Sequence, residues 1–148
     1  NKLELAKEVG ATHVINVKDK SSKDILNEIS SICEVDVFID NTGLSKVIEF
    51  GYKISKANGK VVLVGLPKLG DTTKIYSLPL HYGKSIIGSY GGESIPQLDI
   101  PNYNNLYLSG IIKLKNLISK TYKLDDINIA INDIKSGKIS GRAIIKLN

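Results

Sequence analysis

The stretch GKVVLVGLP at residues 59–67 decides the fold. Residues 61–65 form an unbroken apolar run that is rich in β-branched side chains and too short for a helix. Such a run is typical of a strand buried on both faces, and these strands belong to parallel sheets with helices packed on each side. Because ligands of open sheets bind beyond the carboxyl ends of the strands, residues 64–67 are expected to mark the edge of a binding crevice.

Helices and strands alternate through the first half of the chain. The predicted elements are helices at residues 2–9, 23–32 and 45–55 and strands at 12–16, 35–40 and 61–65. Gly10 ends the first helix, either Ser21 or Ser22 caps the second, and a tight turn at residues 41–43 follows the second strand. Short connections between alternating elements imply right-handed crossovers, so the predicted fold class is α/β with a doubly wound parallel sheet.

The second half of the chain is less regular. The predictions are a strand at residues 85–90, an irregular segment between Glu93 and Pro101, helices at 103–109 and 127–135, and a closing strand at 141–147. Gly110 stops the first of these helices, and residues 124–126 cap the second.

Composition narrows the classes of function. The chain has 148 residues, a net charge of +5 and 42% hydrophobic residues, as expected for one soluble domain. Its lysines are scattered and not interleaved with aromatic residues, so no nucleic-acid partner is expected. No apolar run is long enough to span a bilayer, and the lone cysteine excludes an internal disulfide and favours a reducing, cytoplasmic setting. Because the chain contains no methionine, we expect a fragment or a product whose start has been removed.

No group of residues points to catalysis or metal binding within the chain. Cys33 is interpreted as a packing cysteine, and His13 and His81 as structural histidines. Asp36 and Asp40 lie towards opposite ends of one strand, which argues against a carboxylate pair for acid–base chemistry. We therefore predict no catalytic residue and no metal ligand.

Five stretches carry a family resemblance. They are KLELAKEVGATHVIN at residues 2–16, DVFIDNTG at 36–43, GKVVLVGLP at 59–67, IGSYGG at 87–92 and SGKISGR at 136–142. In this order and spacing they resemble the carboxyl-terminal, cofactor-binding half of the zinc-type medium-chain alcohol dehydrogenases. The resemblance implies that residues 1–148 are part of an NAD(P)-binding domain with a Rossmann-type sheet. Its first strand, most or all of its second and its glycine-rich turn would precede residue 1.

The resemblance also implies a set of cofactor-binding residues. Lys2 matches a position that reaches the adenosine ribose, and Thr42 matches one that lines the adenine side. Val64 and Leu66 match positions that hold the nicotinamide ring. Ser89 matches a main-chain contact to the carboxamide, and Arg142 matches a pyrophosphate ligand. The composition supports the last of these, because Arg142 is the only arginine in a chain that otherwise uses lysine. A planar guanidinium binds two phosphate oxygens at once, which lysine cannot do.

By the same resemblance the whole enzyme transfers hydride between a small alcohol and NAD or NADP, with zinc in a catalytic domain outside this chain. A homo-oligomer through residues 75–90 is expected, and the fragment alone is expected to be inactive. The missing central strands imply that the chain closes the gap, pairs between copies or depends on further sequence. Three alternatives stay open. They are a non-catalytic module that binds a nucleotide or a partner, a zinc-free oxidoreductase similar to quinone reductases, and a purely structural oligomerisation domain.

Overall fold

A computed structural model describes residues 2–147, which form five α-helices and five strands paired in two parallel sheets. The helices are α1 (Lys2–Glu8), α2 (Ser22–Ile32), α3 (Ser45–Ile54), α4 (Pro96–Leu108) and α5 (Ile127–Lys135). The strands are β1 (Val35–Asp40), β2 (Ser55–Leu63), β3 (Ser85–Gly88), β4 (Ile118–Lys123) and β5 (Arg142–Lys146). No helix among these residues is long and apolar enough to cross a membrane. The chain divides into two compact units, one formed by residues 17–94 and the other by residues 1–16 and 95–148.

The 17–94 unit is built on a three-stranded parallel sheet. Its strand order is β1-β2-β3, and Phe38, Val61 and Ile86 lie side by side across it. Val61 is fully buried, and Gly51 of α3 packs so closely on Phe38 that a Cβ there would lie 2.1 Å from the ring. The unit thus buries one face of the sheet beneath α3, and the carboxyl ends of all three strands lie along one edge.

Helix α2 begins at a complete capping box in the same unit. The amide of Asp24 donates to the Ser21 hydroxyl oxygen, and the amide of Ser21 donates to the Asp24 carboxylate. Two backbone donors that the helix leaves unpaired are thereby satisfied. Of the two predicted caps, Ser21 is therefore the correct one.

The other unit contains a two-stranded parallel sheet, β4-β5, packed on α5. Its core consists of Tyr122, Ala130 and Ile139. The carboxylate of Asp133 lies beside this core and accepts hydrogen bonds from the Tyr122 hydroxyl at 2.8 Å and from the ammonium groups of Lys120 and Lys138 at 3.2 Å each. Asp133 therefore joins α5 to β4 and to the turn that precedes β5.

Three predictions about strands are wrong. Residues 12–16 form no strand, because a strand requires ladder hydrogen bonds to a neighbouring strand and neither sheet described for residues 2–147 includes them. The central strand covers Ser55–Leu63 and not residues 61–65. It ends early because the amides of Val64 and Gly65 both turn to the main-chain oxygen of Asp40. Burial on both faces was also expected of this run, yet Val64 is 49% exposed.

Three further predictions need correction. Helix α4 begins at Pro96, not at residue 103, because Pro96 suits a first helical turn and the Asp99 carboxylate accepts the amide hydrogen of Ile95 at 2.7 Å. Helix α5 follows a 3-10 turn and has no side-chain hydrogen bond at its N-cap, Asp126. Cys33, expected to pack in the core, is exposed where α2 ends.

Candidate functional site

The candidate site is the carboxyl edge of the β1-β2-β3 sheet. Thr42 follows β1, Val64 and Leu66 follow β2, and Ser89 follows β3. The amide of Ser89 donates to the Leu63 carbonyl at 2.8 Å, which ties the end of β3 to the end of β2. Four of the six predicted cofactor-binding residues therefore lie along one edge.

Asp40 is the last residue of β1, and its carboxylate builds the turn at residues 41–44. It is 1% exposed. One oxygen accepts the amide of Thr42 at 3.1 Å and its hydroxyl at 2.6 Å, and the other accepts the amide of Gly43 at 2.8 Å. The Thr42 hydroxyl in turn accepts the amide of Leu44 at 3.1 Å. An aspartate that bonds to the backbone two and three residues ahead fixes the turn without regular secondary structure.

The protonation state of Asp40 follows from this geometry. Burial raises the pKa of the Asp40 carboxyl, but the hydrogen bonds from Thr42 and Gly43 outweigh burial and hold the pKa below its ordinary value. None of the ion pairs described for residues 2–147 includes Asp40. The turn therefore contains a buried negative charge that is satisfied by hydrogen bonds and not by a cation.

The main chain of Asp40 holds the second loop of the edge. Its carbonyl oxygen accepts the amide of Val64 at 2.8 Å and the amide of Gly65 at 2.9 Å. Beyond these bonds the loop projects apolar side chains, because Val64 is 49% exposed and Leu66 is 90% exposed. Apolar groups held on an anchored backbone can cover a flat ring, which fits the role that the resemblance implies for them.

Lys2 and Arg142 belong to the unit formed by residues 1–16 and 95–148. Lys2 is exposed at the first position of α1. Arg142 is exposed at the first position of β5, where Ile118 of β4 is its partner. The preceding residue, Gly141, is fixed by a hydrogen bond from its amide to the Ser119 hydroxyl at 2.8 Å.

Three residues shape the edge in ways that the sequence does not indicate, namely the buried carboxylate of Asp40 and the contact between Gly43 and Gly65. An aspartate at a strand end followed by Asn-Thr-Gly is a recognisable turn signal and predicts the turn, but it does not indicate that the Asp40 carboxylate is buried within that turn. The two glycines matter because two loops distant in sequence meet at them, and no local pattern indicates that contact. Within residues 2–147, no group of three or more His, Cys, Asp or Glu side chains could hold a metal ion.

Comparison with known proteins gives consistent matches. Residues 1–109 match the family model for zinc-binding dehydrogenases. The structure of an alcohol dehydrogenase zinc-binding domain protein from Burkholderia ambifaria has a TM-score of 0.84 and 36% identity, over 99% of this chain and 39% of that one. Benzyl alcohol dehydrogenase from Acinetobacter calcoaceticus has a TM-score of 0.85 and 35% identity, over 99% of this chain and 40% of that one. These matches confirm the predicted α/β, Rossmann-type fold class.

Among relatives compared by sequence, alcohol dehydrogenase 1 of Pisum sativum is 28% identical over 150 residues. The match covers 99% of this chain and 39% of that relative. The chain therefore spans well under half the length of the proteins it matches.

Proposed function

The chain belongs to the family of zinc-binding dehydrogenases, and from this premise we propose that residues 1–148 form part of the NAD(P)-binding domain of an alcohol or polyol dehydrogenase. The whole enzyme would transfer hydride between a small alcohol and the nicotinamide ring. The described residues would bind and orient the dinucleotide, and no step of the hydride chemistry is assigned to their side chains.

One observation carries the proposal, which is that Thr42, Val64, Leu66 and Ser89 line up along one carboxyl edge. Ligands of open parallel sheets bind at this edge. Thr42 would lie on the adenine side, and Val64 and Leu66 would cover the nicotinamide ring. Leu66 supports this role because a leucine side chain that is 90% exposed contributes little to the core of its own unit.

The backbone of the edge also suits a dinucleotide. Gly43 and Gly65 bring two loops into direct contact, and a Cβ on Gly43 would lie 2.2 Å from the Leu66 carbonyl oxygen. Such an edge is fixed before a ligand arrives, which lowers the entropic cost of binding. Lys2 and Arg142 stay predictions from the resemblance, as ligands of the ribose and the pyrophosphate.

The remaining features of the whole enzyme are also proposals. We assign no zinc to the described residues, so any zinc that polarises the alcohol would be bound by sequence outside them. The nicotinamide cofactor is either NAD or NADP. Residues 75–90 are proposed to join two copies of the chain. The exposed free thiol of Cys33 suits a reducing, cytoplasmic setting.

The experiment that tests the proposal is a titration of the ¹⁵N-labelled chain with NADH and with its two halves, AMP and nicotinamide mononucleotide. Amide resonances are followed by NMR. We expect AMP to shift the resonances around Thr42 and nicotinamide mononucleotide to shift those around Val64, Leu66 and Ser89. NADH should shift both groups and bind more tightly than either half, because one molecule engages both subsites.

Inosine monophosphate and glucose 6-phosphate are useful controls, since they carry a phosphate without adenine or nicotinamide. The proposal fails if neither NADH nor NADPH binds, or if the shifts that they cause lie away from the carboxyl edge. Shifts of equal size with glucose 6-phosphate would indicate a general anion site in place of a dinucleotide site.

A further inference from the structure

Asp40 is buried in a place where a charged side chain is costly. The residue is 1% exposed, and the hydrogen-bond donors to its carboxylate are Thr42 and Gly43, which lie within the turn that follows β1. An apolar residue could occupy such a position without this cost. The three hydrogen bonds from Thr42 and Gly43 offset the cost of burying this charge, and the same bonds fix the turn.

The same residue also holds the neighbouring loop. The main-chain oxygen of Asp40 accepts the amides of Val64 and Gly65, at 2.8 and 2.9 Å. The side chain thus fixes the adenine side of the edge, and the main chain fixes the side assigned to nicotinamide. No other residue described at this edge bonds to both loops.

The two loops touch, so a displacement of one displaces the other. A Cβ on Gly43 would meet the Leu66 oxygen at 2.2 Å, and a Cβ on Gly65 would meet the Gly43 nitrogen at 2.2 Å. Close-packed backbone of this kind cannot absorb a shift in one loop alone. A change at the Asp40 carboxylate must then reach Leu66 through Gly43.

We propose that Asp40 is the positioning residue of the dinucleotide edge, which holds the turn at residues 41–44 and the loop at 64–66 in the single arrangement that binds the ligand. This inference rests on the proposed function. It adds that affinity for the dinucleotide depends on a residue that is buried away from the ligand and makes no contact with it.

The test compares Asp40→Asn with two controls. Asparagine keeps the shape but replaces one acceptor oxygen by an NH₂ donor, which would face the amide of Thr42 or of Gly43. Asp36→Asn makes the same chemical change on an exposed residue of β1. Ser55→Ala removes a buried hydrogen bond, from the hydroxyl to the Gly51 carbonyl at 2.6 Å, at the opposite end of the sheet. The dissociation constant of NADH is measured by calorimetry, well below each unfolding midpoint.

We expect Asp40→Asn to raise the dissociation constant by about tenfold or more and both controls to change it by less than about twofold. A folded Asp40→Asn chain with unchanged affinity would overturn the positioning role. So would an equal loss in Ser55→Ala, because it would show that general destabilisation is sufficient. If the wild-type chain binds neither NADH nor NADPH, the proposed function fails, and the positioning role fails with it.

A second measurement uses only the wild-type chain and so does not depend on the folding of a variant. The amides of Gly43, Val64 and Gly65 all donate to Asp40, so they should exchange slowly with solvent before any ligand is added. Rapid exchange of these three amides in the free chain, with protection only after NADH is added, would mean that the ligand orders the edge. That result would overturn the inference even if Asp40→Asn cannot be purified.

Discussion

Gly65 lies directly against Gly43, and this contact joins the two loops of the candidate site. A Cβ built on Gly65 would lie 2.2 Å from the Gly43 nitrogen and 2.5 Å from the Thr42 nitrogen. Gly43 has a φ of +68°, a conformation that favours glycine. The contact is between backbone atoms, which cannot swing aside as a flexible side chain could. The edge therefore has no room for a side chain at either position.

Gly65→Ala should destabilise the chain by about 3 kcal/mol, because the added methyl group forces the two backbones apart. Urea unfolding followed by circular dichroism measures the change. Gly88→Ala is the matched control, since a Cβ there would meet no atom within 4 Å. We expect that control to change the free energy of unfolding by less than about 1 kcal/mol. Equal stability of the two variants would contradict the close contact.

Leu66→Ser should weaken NADH binding without affecting stability. The side chain is 90% exposed, so the free energy of unfolding should change by less than about 0.5 kcal/mol. If Leu66 covers the nicotinamide ring, loss of its apolar surface should raise the dissociation constant about tenfold. Leu69→Ser is the matched control, a fully exposed leucine in the same loop. Identical NADH affinities for the two variants would remove Leu66 from the site.

Acid should weaken the core of the unit formed by residues 1–16 and 95–148 through Asp133. The hydrogen bond from Tyr122, with those from Lys120 and Lys138, lowers the pKa of the Asp133 carboxyl to about 2 from its ordinary value of 3.8. Since the pKa is lower in the folded chain, the carboxylate contributes stability that is complete above about pH 4 and is lost as the pH falls towards 2.

Asp133→Asn should therefore be less stable than wild type at neutral pH, and the difference should shrink between pH 4 and pH 2. Urea midpoints measured across this range provide the test. Asp125→Asn is the control, because Asp125 is exposed on the turn before α5. A difference for Asp133→Asn that stays constant with pH would show that the three hydrogen bonds do not favour the charged carboxylate.

The sequence correctly predicts those features of the fold that depend on neighbouring residues with a clear signal. Helical spacing and the cap at Ser21 predict α2. The alternation of helices with apolar strands predicts a parallel sheet, whose strand ends are expected to form the site. Strand β4 was missed because only Tyr122 is buried in it, so neither alternation nor an apolar run marks the segment. Helix α4 was shortened because Pro96 and Pro101 suggest a break, whereas the first lies in the opening turn.

Part of the candidate site could also be predicted from the sequence, and part could not. Thr42, Val64, Leu66 and Ser89 could be named because they follow predicted strands at expected distances. The contact between Gly43 and Gly65 could not be predicted, since it joins residues 22 positions apart through backbone atoms alone. The role of Asp40 was hidden for a related reason. A carboxylate at a strand end resembles a surface charge until its burial is known.

Lys84 leads to a prediction at alkaline pH. Lys84 is 8% exposed, and burial lowers its pKa. Its ammonium group donates a hydrogen bond to the Ser55 carbonyl at 2.8 Å and lies 4.5 Å from the centre of the Tyr52 ring. Because the unfolded chain then binds this proton more tightly, the contribution of Lys84 to stability should become more favourable as the pH rises towards the ordinary lysine value of 10.5.

Lys84→Met removes this contribution. The free energy of unfolding of wild type, measured with urea, should therefore increase relative to that of the variant between pH 7 and pH 10. Lys60→Met, an exposed lysine on the adjacent strand β2, should keep the wild-type slope. Parallel pH profiles for wild type and Lys84→Met would show that the two partners fully compensate the buried charge.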